Sequence, residues 1–297
     1  MLDFIGWRGV FASLFGVGLL ILAGGAVFMK NVTAREDAEL NLTYVSLSST
    51  GFVAFMIGVS NIGIGLVSLR SGGLMALGLV LLGIFAALQL EAERPMLNLR
   101  VFRHPQFRIA VILSLCLYLI SMGTGMIMPI FTKAICGFSD TAYGLATLGG
   151  SFLSMLTTLY AGRVYDRVGI RPAFIVGTCL YAGYAAMGLM MTQSVSIVDI
   201  AAAFALQSLG MATLNSPTTT LALSGLEGKE RVDGSAIFNT LRQISSSLAS
   251  TLAVLIFTLL GSSEAAIHGV FLYFTGVTAA IAAAVILYLR KAGRQRA

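Results

Sequence analysis

A chain of 297 residues that is 57% hydrophobic and only 11% charged, with a mean hydropathy of +0.89, is not a soluble globular domain, in which about 25% of residues carry charge. It reads as an all-α polytopic membrane protein, because a span needs roughly 20 mainly apolar residues with their backbone groups bonded inside a helix. The net charge is +6, and the lipid bilayer, not nucleic acid, is the expected partner.

Residues 1–8 form a short polar and aromatic lead-in, with Trp7 and Arg8 suited to a membrane interface. No signal-peptide pattern is present, so no removed leader is expected. The first span falls at 9–29, followed by a charged loop from Lys30 to Asn41. The second and third spans fall at 44–69 and 72–90. Gly58, Gly63 and Gly65 in one, and Gly72, Gly73 and Gly78 in the other, suit close helix crossing. Residues 91–107 alternate basic and apolar side chains, as an amphipathic segment on the membrane surface does. Six more spans are expected at 108–132, 141–162, 172–192, 197–217, 234–260 and 266–289, before a basic tail from Arg290 to Ala297. Pro129 is expected to kink the fourth span, and Asn215-Ser216-Pro217 to break the seventh at its inner end, because proline removes a helix hydrogen bond.

Charge orients these nine spans. Gly162-Arg163-Val164-Tyr165-Asp166-Arg167-Val168-Gly169-Ile170-Arg171 is a charged, Gly-bracketed turn that does not belong in lipid. With this turn in the cytoplasm, fifteen of the nineteen Lys and Arg residues fall inside. Only Arg8, Arg70 and Lys133 fall outside, and Arg242 lies within the eighth span. The positive-inside rule then sets the N-terminus outside and the C-terminus in the cytoplasm of a cell membrane.

The pattern Gly162-x-x-x-Asp166-Arg167-x-Gly169-x-Arg171 resembles the signature loop of the major facilitator superfamily of transporters. It also fits an ordinary positive-inside loop. Ile5-Gly6-Trp7-Arg8-Gly9-Val10-Phe11, Glu93-Arg94-Pro95-Met96-Leu97-Asn98-Leu99-Arg100-Val101-Phe102-Arg103 and Asp233-Gly234-Ser235-Ala236-Ile237-Phe238-Asn239-Thr240-Leu241-Arg242-Gln243 are similar, in that order, to segments of its drug:proton antiporter-2 branch, the fourteen-span multidrug exporters. The resemblance implies a partial facilitator fold lacking about five helices at the front. Residues 1–29 would close the N-terminal bundle, 30–90 form an inserted helix pair, 91–107 a cytoplasmic amphipathic linker, and 108–297 a complete C-terminal six-helix bundle with its tail. It further implies alternating access, with Gly162, Asp166, Arg167, Gly169 and Arg171 in the cytoplasmic gate.

Nothing points to an enzyme. No span carries paired carboxylates or a Ser/His/Asp set, and no cofactor or metal is expected. Cys116, Cys136 and Cys179 are isolated packing residues, and His104 and His268 are equally lone. All thirteen acids fall in loops, termini or helix ends. In the resembled exporters, the carboxylate that couples transport to protons sits in the N-terminal bundle, so this chain alone is expected not to drive coupled export.

The polar residues inside spans have two readings, interhelical hydrogen bonding or contact with substrate. The first is preferred for Asn61. Gln207, Asn215 and Asn239 stand between them, since the resemblance places the seventh and eighth spans along the central cavity. Tyr118, Met122, Met126 and Met128 give the fourth span a soft face that suits varied ligands or plain packing. Arg242 and Gln243 form a polar cluster near the inner end, where Arg242 is close enough to snorkel. The function implied is proton-coupled efflux of hydrophobic drugs or related small molecules. The alternative is a non-transporting membrane subunit or inactive remnant that needs a separate N-terminal half.

Overall fold

The computed structural model describes residues 2–28, 42–63, 68–92, 95–261 and 264–294, with the backbone alone for 2–7, 10, 63, 161–168 and 291–294. Among these residues there are nine α-helices and no strand. They are α1 (Leu2–Phe28), α2 (Leu42–Gly63), α3 (Leu69–Glu91), α4 (Pro105–Ala134), α5 (Asp140–Val168), α6 (Ile170–Leu189), α7 (Ile197–Leu223), α8 (Gly228–Leu259) and α9 (Glu264–Arg294). Eight are long and apolar enough to cross a bilayer, so the chain is an all-α, multi-pass membrane protein. The ninth is α5, expected as a full span. Gly144, Gly149, Gly150, Ser151, Ser154, Thr157 and Thr158 dilute its apolar residues.

Helix α1 is a unit of its own, a rod about 40 Å long at 1.5 Å per residue. In the other unit, α2 and α3 pack side by side. A Cβ added at Gly58 would lie 2.6 Å from the backbone nitrogen of Met75, and one at Gly78 would lie 2.7 Å from the carbonyl oxygen of Gly51. Only glycine permits so close a crossing. Gly72 and Gly73 face open space instead, and Gly65 lies outside the described residues.

Helix α4 packs against α7, α8 and α9, while α6 lies against α7 and α9 and α5 against α7. Phe107 and Phe131 of α4, Phe174, Tyr181 and Tyr184 of α6, and Phe271 and Phe274 of α9 are fully buried. The Tyr184 and Phe271 rings lie 5.3 Å apart, and those of Phe271 and Phe274 lie 5.6 Å apart, edge to face. Lipid is as apolar as these rings, so close packing and interhelical hydrogen bonds hold the bundle rather than escape from water. Two such bonds are buried. The Thr124 and Tyr184 hydroxyls join α4 to α6 at 2.7 Å, and Ser245 Oγ donates to the Leu115 carbonyl at 2.7 Å, joining α8 to α4.

Several helices outrun their apolar cores. The expected ten-residue turn after residue 162 is helical as far as Val168, and the break is Gly169 alone, at φ 84° and ψ 177°. Charge ends a membrane span but not a helix, and 163–168 contain no helix breaker. Helix α8 likewise starts at Gly228, six residues before the expected 234. The expected break at Pro217 is absent, since α7 runs on to Leu223. Pro217 leaves the Thr213 carbonyl without its usual N–H, yet α7 continues through it, as proline is tolerated in membrane helices. Helix α4 also continues past Pro129 to Ala134.

The linker differs from a surface-lying segment. A 3-10 turn, Leu99–Arg103, inserts Val101 wholly into the protein core while Arg100 and Arg103 stay exposed. Its apolar side therefore faces α4 and α8, not lipid.

Candidate functional site

The eighth helix presents Asn239, Arg242 and Gln243 at i, i+3 and i+4, which places them on one face. Arg242 lies fourteen residues after Gly228, about 21 Å along the helix. Its Nη2 donates to the Tyr118 hydroxyl of α4 and to Asn215 Oδ1 of α7, the latter at 2.8 Å. The guanidinium carbon sits 4.4 Å from the Tyr118 ring centroid and 5.5 Å from that of Phe238. Arg242 therefore reaches sideways into the bundle rather than snorkelling to its end. Three helices converge on one cation, bordering a cavity of about 360 Å3 lined by Tyr118, Asn239, Arg242 and Gln243.

Magnitudes show how nearly this cation is balanced. An arginine deep in a span costs about 2.5–3.5 kcal/mol on insertion scales. Two interhelical hydrogen bonds at roughly 0.6 kcal/mol each and ring contacts at about 0.5–2 kcal/mol offset that cost without a surplus. Among the described residues the ion pairs are His104–Glu230 and Lys133–Asp140, so no carboxylate pairs with Arg242.

The other sequence-predicted residues fall elsewhere. Met122 and Met126 follow Tyr118 at successive four-residue steps on α4, both exposed and outside the cavity lining. Met128 is buried in the core instead. Gln207 is 4% exposed and its Nε2 donates to Ser121 Oγ at 3.0 Å, tying α7 to α4 rather than facing the cavity. Asn61 is half-buried without a hydrogen-bond partner among the described residues. Of the gate motif, Gly169 is the hinge between α5 and α6, and Arg171 is half-buried in the first turn of α6. For Gly162, Asp166 and Arg167 the backbone alone is described, in the last turns of α5.

Sequence reasoning missed two features. Phe238 adds a second ring to the cation, four residues before Arg242, at helical spacing that makes it readable in retrospect. The linker is also clasped to the first turns of α8. Asp233 Oδ2 accepts from the Asn98 backbone N–H at 3.3 Å, Glu230 Oε1 accepts from Asn98 Nδ2 at 3.4 Å, and Glu230 Oε2 lies 3.7 Å from His104 Nε2. Carboxylates are favoured there by the helix dipole. Gln89 at the end of α3 accepts from the Leu97 N–H at 3.0 Å. No local signal links partners more than 130 residues apart.

At the opposite end of the bundle, Lys133 Nζ contacts Asp140 at 2.7 Å, and Glu264 accepts from the Gln193 N–H. Burial pushes the nearby Cys136 thiol above its ordinary pKa, and the Glu264 carboxylate adds to the shift.

Comparison with known proteins gives a consistent picture. The sequence profile of the Major Facilitator Superfamily matches residues 1–249 and, in a second alignment, 110–297. The Uncharacterized MFS-type transporter YcnB of Bacillus subtilis is 28% identical over 249 residues, covering 84% of this chain and 53% of the relative. The Lincomycin resistance protein LmrB of Listeria monocytogenes is 27% identical over 86% of this chain and 55% of its own length. The Multidrug export protein EmrB of Haemophilus influenzae is 22% identical, over 84% and 50% respectively. This chain thus spans about half the length of the curated relatives it matches.

Proposed function

The chain belongs to the major facilitator superfamily, and on that premise we propose that it serves in the efflux of hydrophobic drugs or related small molecules across a cell membrane. The observation that carries this reading is the meeting of α4, α7 and α8 at Arg242, which bonds to Tyr118 and Asn215 and lines one cavity with Tyr118, Asn239 and Gln243. Ionisable groups within membrane-spanning helices mark substrate pathways, and about 360 Å3 lies within the usual range for a small-molecule site. The names of relatives such as LmrB and EmrB support drugs as the cargo class.

The mechanism proposed is alternating access. The region from Gly162 to Arg171 joins α5 to α6 at the cytoplasmic gate, and the N-terminus lies outside with the C-terminus in the cytoplasm, a topology that the distribution of Lys and Arg supports. Residues 1–29, 30–90, 91–107 and 108–297 act as the last helix of an N-terminal bundle, an inserted pair, a linker and a C-terminal bundle. Protons supply the drive. The carboxylates described lie at helix ends, as with Asp140, Asp199, Glu230, Asp233 and Glu264, so the proton-accepting group belongs outside these central turns.

Membrane vesicles holding this polypeptide test the reading. Saturable uptake of a labelled hydrophobic drug is expected, lost when Arg242→Ala and Asn239→Ala are combined. Uptake that does not saturate, or that persists in the double variant, refutes the cavity as a substrate site. An imposed pH gradient tests coupling, and no uphill accumulation is expected from this chain by itself.

A further inference from the structure

The cavity has a sign. Among the described residues its lining holds one cation and two carboxamides, and no acidic residue. Both hydrogen bonds of the Arg242 side chain leave from a single nitrogen, Nη2. A guanidinium carries five N–H donors, and among the described residues Nη1 and Nε have no hydrogen-bond partner. The Asn239 and Gln243 amides, on the same face of α8, also have none. A guanidinium anchored by Asn215 and lying over Tyr118 and Phe238 keeps its remaining N–H donors, with the two carboxamides beside it, for an oxyanion.

We infer that this site takes ligands bearing an oxyanion, a carboxylate on an aromatic body, with the acid on Arg242 and the body along the Tyr118 side of the cavity. This rests on the cavity being a substrate site, and it narrows the cargo from hydrophobic compounds in general to organic acids. A cationic drug would meet like charge at Arg242 and leave the donors unmatched. Another cavity, about 370 Å3 between α5 and α7, is lined by Ala142, Leu145, Ala146, Ile197, Val198 and Ala201 and offers no such discrimination.

The test uses three probes with one aromatic body, naphthoate, naphthamide and naphthyltrimethylammonium, and the full chain in phosphatidylcholine nanodiscs. Equilibrium binding is expected to favour naphthoate over naphthamide by about tenfold, the size of one good charge-assisted contact, with the ammonium weakest. Arg242→Gln is expected to erase the preference, and Arg242→Lys to keep part of it, since the charge stays while the planar set of donors is lost. Burial of Cys116 against a thiol reagent checks that each variant is folded. Binding of all three probes without preference, or a preference unchanged in Arg242→Gln, overturns the inference and leaves the substrate site standing. Binding of none overturns both. Phosphatidylglycerol in the nanodisc separates the two sources of oxyanion. If it displaces naphthoate, the site belongs to a lipid headgroup and the inference fails; no displacement supports it.

Discussion

The hydrogen bond between Thr124 and Tyr184 can be measured because each partner has a nearly isosteric replacement. Both residues are buried, their hydroxyls are 2.7 Å apart, and the Tyr184 ring packs on Phe271 at 5.3 Å. Thr124→Val strands the Tyr184 hydroxyl among rings, and an unsatisfied buried group costs about 1–3 kcal/mol. Tyr184→Phe keeps the ring packing and frees the Thr124 hydroxyl. That hydroxyl can turn to the carbonyl four residues back, as Thr132 does to Met128 at 2.7 Å, so this change costs less, about 0.5–1 kcal/mol. The double variant has no stranded group. The coupling from the cycle is expected at roughly 0.6–1.7 kcal/mol, the range found for interhelical bonds in membranes. Cys116, buried on α4, reports unfolding when a thiol reagent labels it as dodecyl sulfate is titrated into mixed micelles, with Cys136 and Cys179 replaced by Ser. Tyr184→Phe costing more than Thr124→Val, or a coupling indistinguishable from zero, would refute the assignment of this bond as a fastening between α4 and α6.

Four further outcomes follow from other parts of the bundle. Gly169→Ala places a side chain in a backbone region open essentially to glycine and is expected to destabilise by about 1–3 kcal/mol, read in the same titration. Gly78→Val drives a side chain into the α2 backbone and should cost about 1–3 kcal/mol by overpacking, whereas Gly72→Ala, which meets nothing within 4 Å, should be nearly silent. The raised pKa of Cys136 means less thiolate at a given pH, so maleimide labelling should begin at higher pH than for a free thiol, and Glu264→Gln should shift the profile back downward. Asp233→Ala removes the acceptor for the Asn98 N–H, and trypsin should then cut the linker after Arg100 or Arg103 about fivefold faster, as for loss of about 1 kcal/mol.

Much of this was legible in the sequence because lipid imposes a blunt code. Charged interruptions separate apolar runs, so α2, α3, α4, α6, α7, α8 and α9 can be located from composition. Their ends cannot, because a helix obeys backbone propensity after it leaves the membrane. The charge of residues 163–168 and 228–233 predicts a turn and a loop, yet both stretches are helical. Pro217 does not end α7 either, because a membrane helix tolerates the loss of one backbone donor. At the site, the spacing of Asn239, Arg242 and Gln243 fixed a shared face from sequence alone. Which way Gln207 and Asn215 point was not readable. The described part of α7 meets α4, α5, α6 and α8, so no polar stripe marks its cavity side, and tertiary packing alone sends Asn215 to Arg242 and Gln207 to Ser121.

Gly169 has a mechanical consequence. With 29 residues, α5 is a rod of about 43 Å, longer than the roughly 30 Å hydrocarbon layer. In the proposed topology, with α5 crossing the bilayer, the positions from 163 onward would ride on a stiff overhang rather than on slack chain. A tilt of about 10° around its midpoint sweeps that end through roughly 4 Å, enough to make or break a contact between charges. Because a single residue joins it to α6, little of that sweep is lost in the joint. In the proposed alternating-access cycle the segment would work as one arm of a lever, turning a small lean inside the bilayer into displacement at the surface.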